Sequence, residues 1–315
     1  MDLDTLPVLS LADAPARFSD DIGASFRAFG FALVQGHGID PALIAEAWRL
    51  TAEFFALPEA EKLSYYIDGL SGARGYTPFG TEIAKGAEFR DLKEFWHVGR
   101  DLPAGHPLAA SMPPNVWPAH PAGFREVFEP LYAEFDRVGA LILSRIAVHL
   151  GLAADWFEGP IGEGNSVLRL LHYPPIDDDA DNSGAGAIRA GAHEDINLIT
   201  LLLGAEEAGL ELLGRQGEWL SVSPPEGALV VNIGDMLQRL TNHALPSTTH
   251  RVRNPAGERA THSRYSMPFF LHLRSDFRFE TLPQCVNAEN PDRYPVSITA
   301  DDYLQERLRE IGLKK

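Results

Sequence analysis

"AIRAGAHEDINLITLLLG", Ala187–Gly204, carries two signals at once. The run Ile196–Leu203 is almost wholly apolar and predicts a buried strand. His193, Glu194 and Asp195 stand at its mouth, where polar side chains contribute nothing to packing. In an extended segment residues i and i+2 share a face, so the imidazole of His193 and the carboxylate of Asp195 are expected to converge. Alone, the commoner meaning of such a tripeptide is a hydrogen-bonded pair at a strand start. A metal site needs a third donor.

The surrounding sequence supplies a β frame and that donor. From Ser166 onward, short apolar stretches recur: Val167–Pro174, Gly209–Leu213, Ala228–Gly234, Thr248–Asn254 and Ser263–Leu273, split by Gly, Pro and Asn turns. Many short strands at this spacing suggest a sandwich or jelly roll. His250 lies in one of these stretches. Arg264-Tyr265-Ser266 lies in the next, again with i and i+2 on a common face. Two neutral imidazoles and one carboxylate form the open facial arrangement used by non-haem Fe(II) sites. A guanidinium matches a carboxylate as a planar fork, and the Ser266 hydroxyl can join the same contact.

Before the β region the chain reads as helices. Phe31–Ile39 is a short strand broken by Gly36 and Gly38, and Asp40 with Pro41 starts a helix. A long amphipathic helix is expected from about Gly123 to Leu152, and another near the C-terminus after Thr299. Asp68–Gly86, rich in glycine, reads as a long loop suited to closing over a site. The expected fold class is α+β: a double-stranded β-helix, or jelly roll, with supporting N-terminal helices. Residues 1–120 form an N-terminal region and 121–315 the core, together one functional unit.

Composition narrows the functions further. The 315 residues are 45% hydrophobic and 23% charged, enough for a large core. A net charge of -17 disfavours nucleic acid and anionic membranes as partners. The single cysteine, Cys285, permits no intrachain disulfide and fits a reducing compartment, the cytoplasm. No apolar run is long enough to cross a bilayer.

Six ordered elements resemble one family: Gly36–Ile39 (GHGI), His172–Pro175 (HYPP), His193–Asp195 (HED), Val230–Asn242, Thr249–Val252 (THRV) and Arg264–Phe270 (RYSMPFF). The chain is similar, from about Leu6 to Leu313, to the isopenicillin N synthase-like branch of the 2-oxoglutarate/Fe(II)-dependent dioxygenases. The resemblance implies that His193, Asp195 and His250 bind Fe(II), and that Arg264 and Ser266 hold the distal carboxylate of 2-oxoglutarate, with Tyr173 nearby. It implies oxidation of a small organic molecule by O2, with succinate and CO2 as coproducts. Leu171 stands where the family often has Asn, two positions before the tyrosine, and His243 replaces a usual glycine.

Relatives that keep the iron but not the cosubstrate remain an alternative: cyclising, ascorbate-dependent or ethylene-forming enzymes. A catalytically silent binding protein is a third. Arg74, Tyr76, Lys85, Phe95, Trp96 and Phe269 are substrate-side candidates, and Ile196, Leu198 and Phe269 are expected to form an apolar wall at the iron. Asp235 reads as a helix N-cap, His37 as structural, and Arg169 as paired with an acid. Oligomeric state is not legible.

Overall fold

The computed structural model describes residues 5–70, 72–83, 90–176, 188–204, 209–255 and 257–310. Strand β1 (Val8–Ser10) leads to helix α1 (Pro15–Phe29), β2 (Phe31–Gln35), α2 (Pro41–Phe55) and α3 (Glu59–Leu63). β3 (Gly75–Thr77) and β4 (Glu94–Gly99) precede the long α4 (Phe124–His149) and the short α5 (Glu158–Ile161). The β region follows with β5 (Val167–Tyr173), β6 (Ala190–His193), β7 (Ile199–Leu203), β8 (Leu210–Leu213), β9 (Trp219–Ser221) and β10 (Leu229–Ile233). Then come α6 (Asp235–Leu240), β11 (His250–Val252), β12 (Arg264–Leu271) and α7 (Ala300–Glu310).

The strands form a major sheet in the order β1-β2-β10-β7-β12-β5-β4-β3 and a minor sheet in the order β6-β11-β8-β9. Among the described strands all pairings are antiparallel except β1 with β2. The two sheets form the expected jelly-roll core. β2 pairs with β10 and β4 with β5, so strands from before residue 120 complete a sheet built mostly from later ones.

Helix α4 explains why one face of the major sheet is dry. Phe124, Phe128, Leu131, Phe135, Val138 and Ile142 recur at helical spacing and are all buried. Phe135 stacks on Phe269 of β12 at 5.5 Å between ring centres. Gly139 lets the helix approach, since a Cβ there would overlap the Leu271 side chain. The opposite face of the sheet looks toward the minor sheet. A second apolar cluster, including Phe31, Leu171, Val230 and Val252, fills part of that gap. The rest of the gap holds the polar groups described below.

Two expectations change. The Asp68–Gly86 segment is not all loop: Gly75–Thr77 is β3, paired with β4. β4 itself, Glu-Phe-Trp-His-Val-Gly, is buried throughout. Its Glu94 and His97 break the apolar pattern and hide the strand from a sequence reading. The stretch from Ile196 also begins as a turn, and the strand starts only at Ile199.

Phe135→Ala removes the ring that α4 stacks on the sheet, and is expected to cost about 3–5 kcal/mol. Urea unfolding checks this: the midpoint should fall with an unchanged slope. An unmoved midpoint would show that α4 is not what seals this face.

Candidate active site

His193 is the last residue of β6, and His250, the first of β11, lies directly opposite it in the minor sheet. Asp195 comes two residues after β6, where the chain leaves the minor sheet for β7 of the major one. The pair therefore converges because the chain turns between sheets, and not by alternation along one strand.

That crossing is held by backbone bonds. Asp235 N–H donates to the Asp195 carbonyl at 2.7 Å, and Gly234 N–H to that of Leu198 at 2.8 Å. Gly234 has no room for a side chain, because a Cβ would strike the Asn197 carbonyl. Asn197 Nδ2 closes the turn by donating to the Ile199 carbonyl at 2.9 Å.

The donor atoms of His193, Asp195 and His250 all lie within 4.8 Å of one another. Asp195 Oδ1 is 3.9 Å from Nε2 of each imidazole. The other atoms of the three side chains are occupied. His193 Nδ1 lies 2.7 Å from the Gly191 carbonyl, and His250 Nδ1 lies 3.1 Å from that of Thr248. A carbonyl only accepts, so each Nδ1 carries a proton, which leaves Nε2 as the ring nitrogen that can face a metal. Asp195 Oδ2 accepts from Asn232 Nδ2 at 2.8 Å and from the Thr200 hydroxyl, which leaves Oδ1 for the centre.

The electrostatics agree. Burial, then the neighbouring His250 imidazole, holds His193 down at about 4, so it is neutral at pH 7. Burial pushes Asp195 up, but the two imidazoles and the hydrogen bonds from Asn232 and Thr200 outweigh it and keep the carboxylate ionised. Two imidazoles and a carboxylate facing one point fit a divalent ion.

A small cavity of about 70 Å³ beside the triad is lined by Tyr173, Arg264 and Ser266 as well as by all three triad residues. Arg264 and Ser266 point into it from alternate positions of β12, and Tyr173 faces Arg264 from β5. Arg264 is 3% exposed, yet its Nε and Nη1 have no hydrogen-bond partner among the described residues. A buried guanidinium with open donors is a receptor for an anion. Leu171 also lines this cavity and leaves an apolar patch there.

A larger cavity of about 680 Å³ also reaches the triad, at His193 and Asp195. Its walls include Arg74, Glu82, Lys93, Phe95, Arg169, Ile196, Phe270 and, from α7, Leu304 and Arg307. Lys93 bonds Glu82 and Asp91 at 3.0 and 2.8 Å. Arg169 is paired as expected, with Glu82 at 3.0 Å and His97 at 2.6 Å. Arg307 anchors α7 through Asp235 at 3.0 Å.

Several candidates fall elsewhere. Tyr76 is buried away from both cavities, its hydroxyl donating to Glu94. Phe269 and Leu198 belong to the helix-side core; along β12, alternation turns Pro268 and Phe270 to the site instead of Phe269. Trp96 is buried in that same core, whereas Phe95 lines the larger cavity. Asp235 is the first residue of α6 and Gly234 its cap. His37 bonds the Gly227 carbonyl, a structural role. Lys85 lies outside the described residues. Asn232 and Thr200, which hold Asp195, and Asn197, which holds the crossing, are not singled out by the sequence.

A jelly roll with two imidazoles and a carboxylate at an open pocket, beside an unsatisfied buried arginine, is the scaffold of a non-haem metal oxygenase. Known proteins agree. Residues 2–120 match the non-haem dioxygenase in morphine synthesis N-terminal family, and residues 164–273 the 2OG-Fe(II) oxygenase superfamily. The 2-oxoglutarate-Fe(II) type oxidoreductase hxnY of Emericella nidulans is 33% identical over 301 residues, spanning 93% of this chain and 84% of the relative. The 2-oxoglutarate-dependent dioxygenase citB of Monascus ruber is 34% identical, spanning 94% and 90%. A crystal structure of a 2OG-Fe(II) oxygenase family protein from Caulobacter crescentus is 54% identical, with a TM-score of 0.89, covering 98% of this chain and 99% of that one. A full-length Neurospora crassa protein crystallised in complex with alpha-KG, which is 2-oxoglutarate, is 28% identical with a TM-score of 0.84, covering 98% and 97%.

The chain belongs to the 2-oxoglutarate/Fe(II)-dependent oxygenase family. It is an enzyme of that class, with Fe(II), 2-oxoglutarate and O2 as its cofactor and cosubstrates. Enzymes of this family act on small molecules.

Asn232→Ala takes one of two donors from Asp195 Oδ2 without touching a candidate ligand. Metal affinity, measured by calorimetry with Ni(II), should fall about 10–100-fold. Unchanged affinity would mean that Asn232 does not orient the carboxylate.

Proposed function

We propose that His193, Asp195 and His250 hold Fe(II), and that Arg264, Ser266 and Tyr173 receive the distal carboxylate of 2-oxoglutarate in the small cavity. The observation that carries this reading is the pairing of three inward-facing donors with a buried guanidinium whose Nε and Nη1 are unsatisfied. When bound, iron and cosubstrate supply the O2-dependent oxidation, with succinate and CO2 as coproducts.

The chain's own groups set the stage for that chemistry. The Gly191 and Thr248 carbonyls fix the imidazole tautomers, and Asn232 and Thr200 hold the carboxylate in place. Arg264 supplies the charge that orients the cosubstrate, with its guanidinium 5.0 Å above the Tyr173 ring. Ile196 and Phe270 provide apolar wall in the larger cavity, which keeps water from the reacting face.

The larger cavity is the substrate chamber in this reading. Its volume suits a small organic molecule. The same Neurospora crassa protein is known in complex with alpha-KG and thymine, and with alpha-KG and 5-formyluracil, in structures that resemble this chain across 98% of its length. Hydroxylation or a related C–H oxidation is the proposed reaction type. We place the chain in the isopenicillin N synthase-like branch, supported by the match of its first 120 residues to the N-terminal family. Residues 1–120 and 121–315 act as one functional unit, a reading supported by the strands of both in one sheet. The described residues of the Asp68–Gly86 segment border the chamber through Gly69, Arg74 and Glu82, and we read them as its cover; residues 71 and 84–86 lie outside the described residues. A cytoplasmic location fits the single cysteine, and no described helix is long and apolar enough to cross a membrane.

Fe(II) plus 2-oxoglutarate should give slow succinate formation even without substrate, and His193→Ala should reduce it to the metal-free background. Arg264→Gln removes a charged hydrogen-bonding group worth about 1.5–3 kcal/mol. The KM for 2-oxoglutarate should therefore rise about tenfold to hundredfold, with metal affinity unchanged. A His193→Ala variant that binds iron and turns over normally would overturn the ligand assignment.

A further inference from the structure

Among the described basic side chains of the larger cavity, Lys93 and Arg169 are matched by Glu82, and Arg307 by Asp235. Arg74 has no carboxylate partner among the described residues. It is 2% exposed, and the one hydrogen bond found for it there runs from Nη1 to the Ala73 carbonyl at 2.7 Å. Nε and Nη2, which form one side-on edge of the guanidinium, are buried and unpartnered.

The fold makes room for this cation without neutralising it. A Cβ on Gly99 would overlap Cζ of Arg74 before either nitrogen, so the guanidinium lies flat on the glycine. Gly99 is fixed in turn by Asn115, which accepts from its N–H at 2.7 Å and donates to its carbonyl at 2.8 Å. Burial pushes the Arg74 guanidinium down from its ordinary value, opposed only by Tyr132 and Asp101.

Two further unsatisfied groups gather at the same end. Gly99 pairs with Val167, and Val167 with Phe270. Two residues beyond that row stand Asn165 and His272, whose Oδ1 and Nδ1 are buried without partners. The His272 backbone N–H bonds Ser166 Oγ at 3.1 Å, which keeps the two segments together. Both side chains line the cavity with Arg74. Since an amide can present either end, Asn165 can serve as donor or acceptor.

We infer that Arg74, with Asn165 and His272, forms an anion subsite that takes the carboxylate of a small organic acid, the substrate of this enzyme. The inference rests on the triad being the reaction centre, and deepens that reading by naming the substrate class. The side-on edge of a guanidinium forms two parallel bonds with a carboxylate. A monoanion fits better than a phosphate, because Glu82, Asp91 and Glu194 also line the chamber. Leu70, Phe95, Val167, Phe270 and Leu304 also line the chamber, which suits an acid with an apolar body.

The test uses medium-chain and aryl-substituted monocarboxylic acids, each paired with its primary amide. Binding is read by calorimetry on the whole chain loaded with Ni(II) and 2-oxoglutarate, which blocks the Arg264 cavity to the acids. At least one acid should bind about tenfold more tightly than its amide. Arg74→Gln should bring the pair to parity while leaving 2-oxoglutarate affinity unchanged.

Arg74→Lys keeps the charge and loses the fork, so it should retain part of the preference. If the Gln variant does not fold, the Lys variant decides the matter, and an undiminished preference in it overturns the subsite. Acids that bind no better than their amides, or a preference that survives Arg74→Gln, also overturn it. The iron-site reading fails separately. In that case Ni(II) or 2-oxoglutarate does not bind the wild type, while the Arg74-dependent preference for acids persists in the metal-free protein.

Discussion

The site depends on a single passage of chain from one sheet to the other. Between His193 and Ile199 the backbone leaves the minor sheet and enters the major one, and Asp195 sits in that passage. A turn between sheets exposes peptide groups that no ladder satisfies. Gly234, Asp235 and Asn197 supply those partners, so the same bonds that permit the crossing also aim the carboxylate. Precision at the donor set thus comes from β10 and α6, elements that contribute no donor of their own.

The space between the sheets divides by chemistry. In the small cavity the Arg264 charge stands open for a ligand. Arg169 and Lys93, which line both cavities, join Glu82 and Asp91 in a buried chain of alternating charges. Buried pairs of this kind contribute little net stability, since desolvation offsets much of their attraction. Their effect here is to hold Glu82, Asp91 and Lys93 to β5 and so to shape the chamber wall. Arg74 stands apart from that chain, with no carboxylate partner among the described residues.

Much of this is legible in the sequence, for identifiable reasons. The jelly roll follows from short apolar stretches punctuated by turn residues, and the donor set from three residue types with restrictive chemistry. Alternation along β12 is also available: Arg264 and Ser266 on the inner face require Phe270 there and Phe269 on the other. Placing Phe269 at the site neglects that consequence. Tyr76 and β4 are harder, because Glu94, bonded to Tyr76, Lys62 and His172, makes a buried strand look polar. Asn232 and Thr200 act through Asp195, a contact of tertiary origin that no local pattern encodes.

Helix α7 lends Leu304, Gln305, Arg307 and Leu308 to the chamber, and Arg307 reaches back to Asp235 at the start of α6. The candidate donors and the groups lining the small cavity beside them, up to Ser266, all precede residue 270, so during synthesis they emerge from the ribosome ahead of α7. A nascent chain can thus assemble its reactive centre before it has a finished container for the molecule to be oxidised. Variation in the closing segment could then reshape what the chamber admits without disturbing the chemistry beneath it.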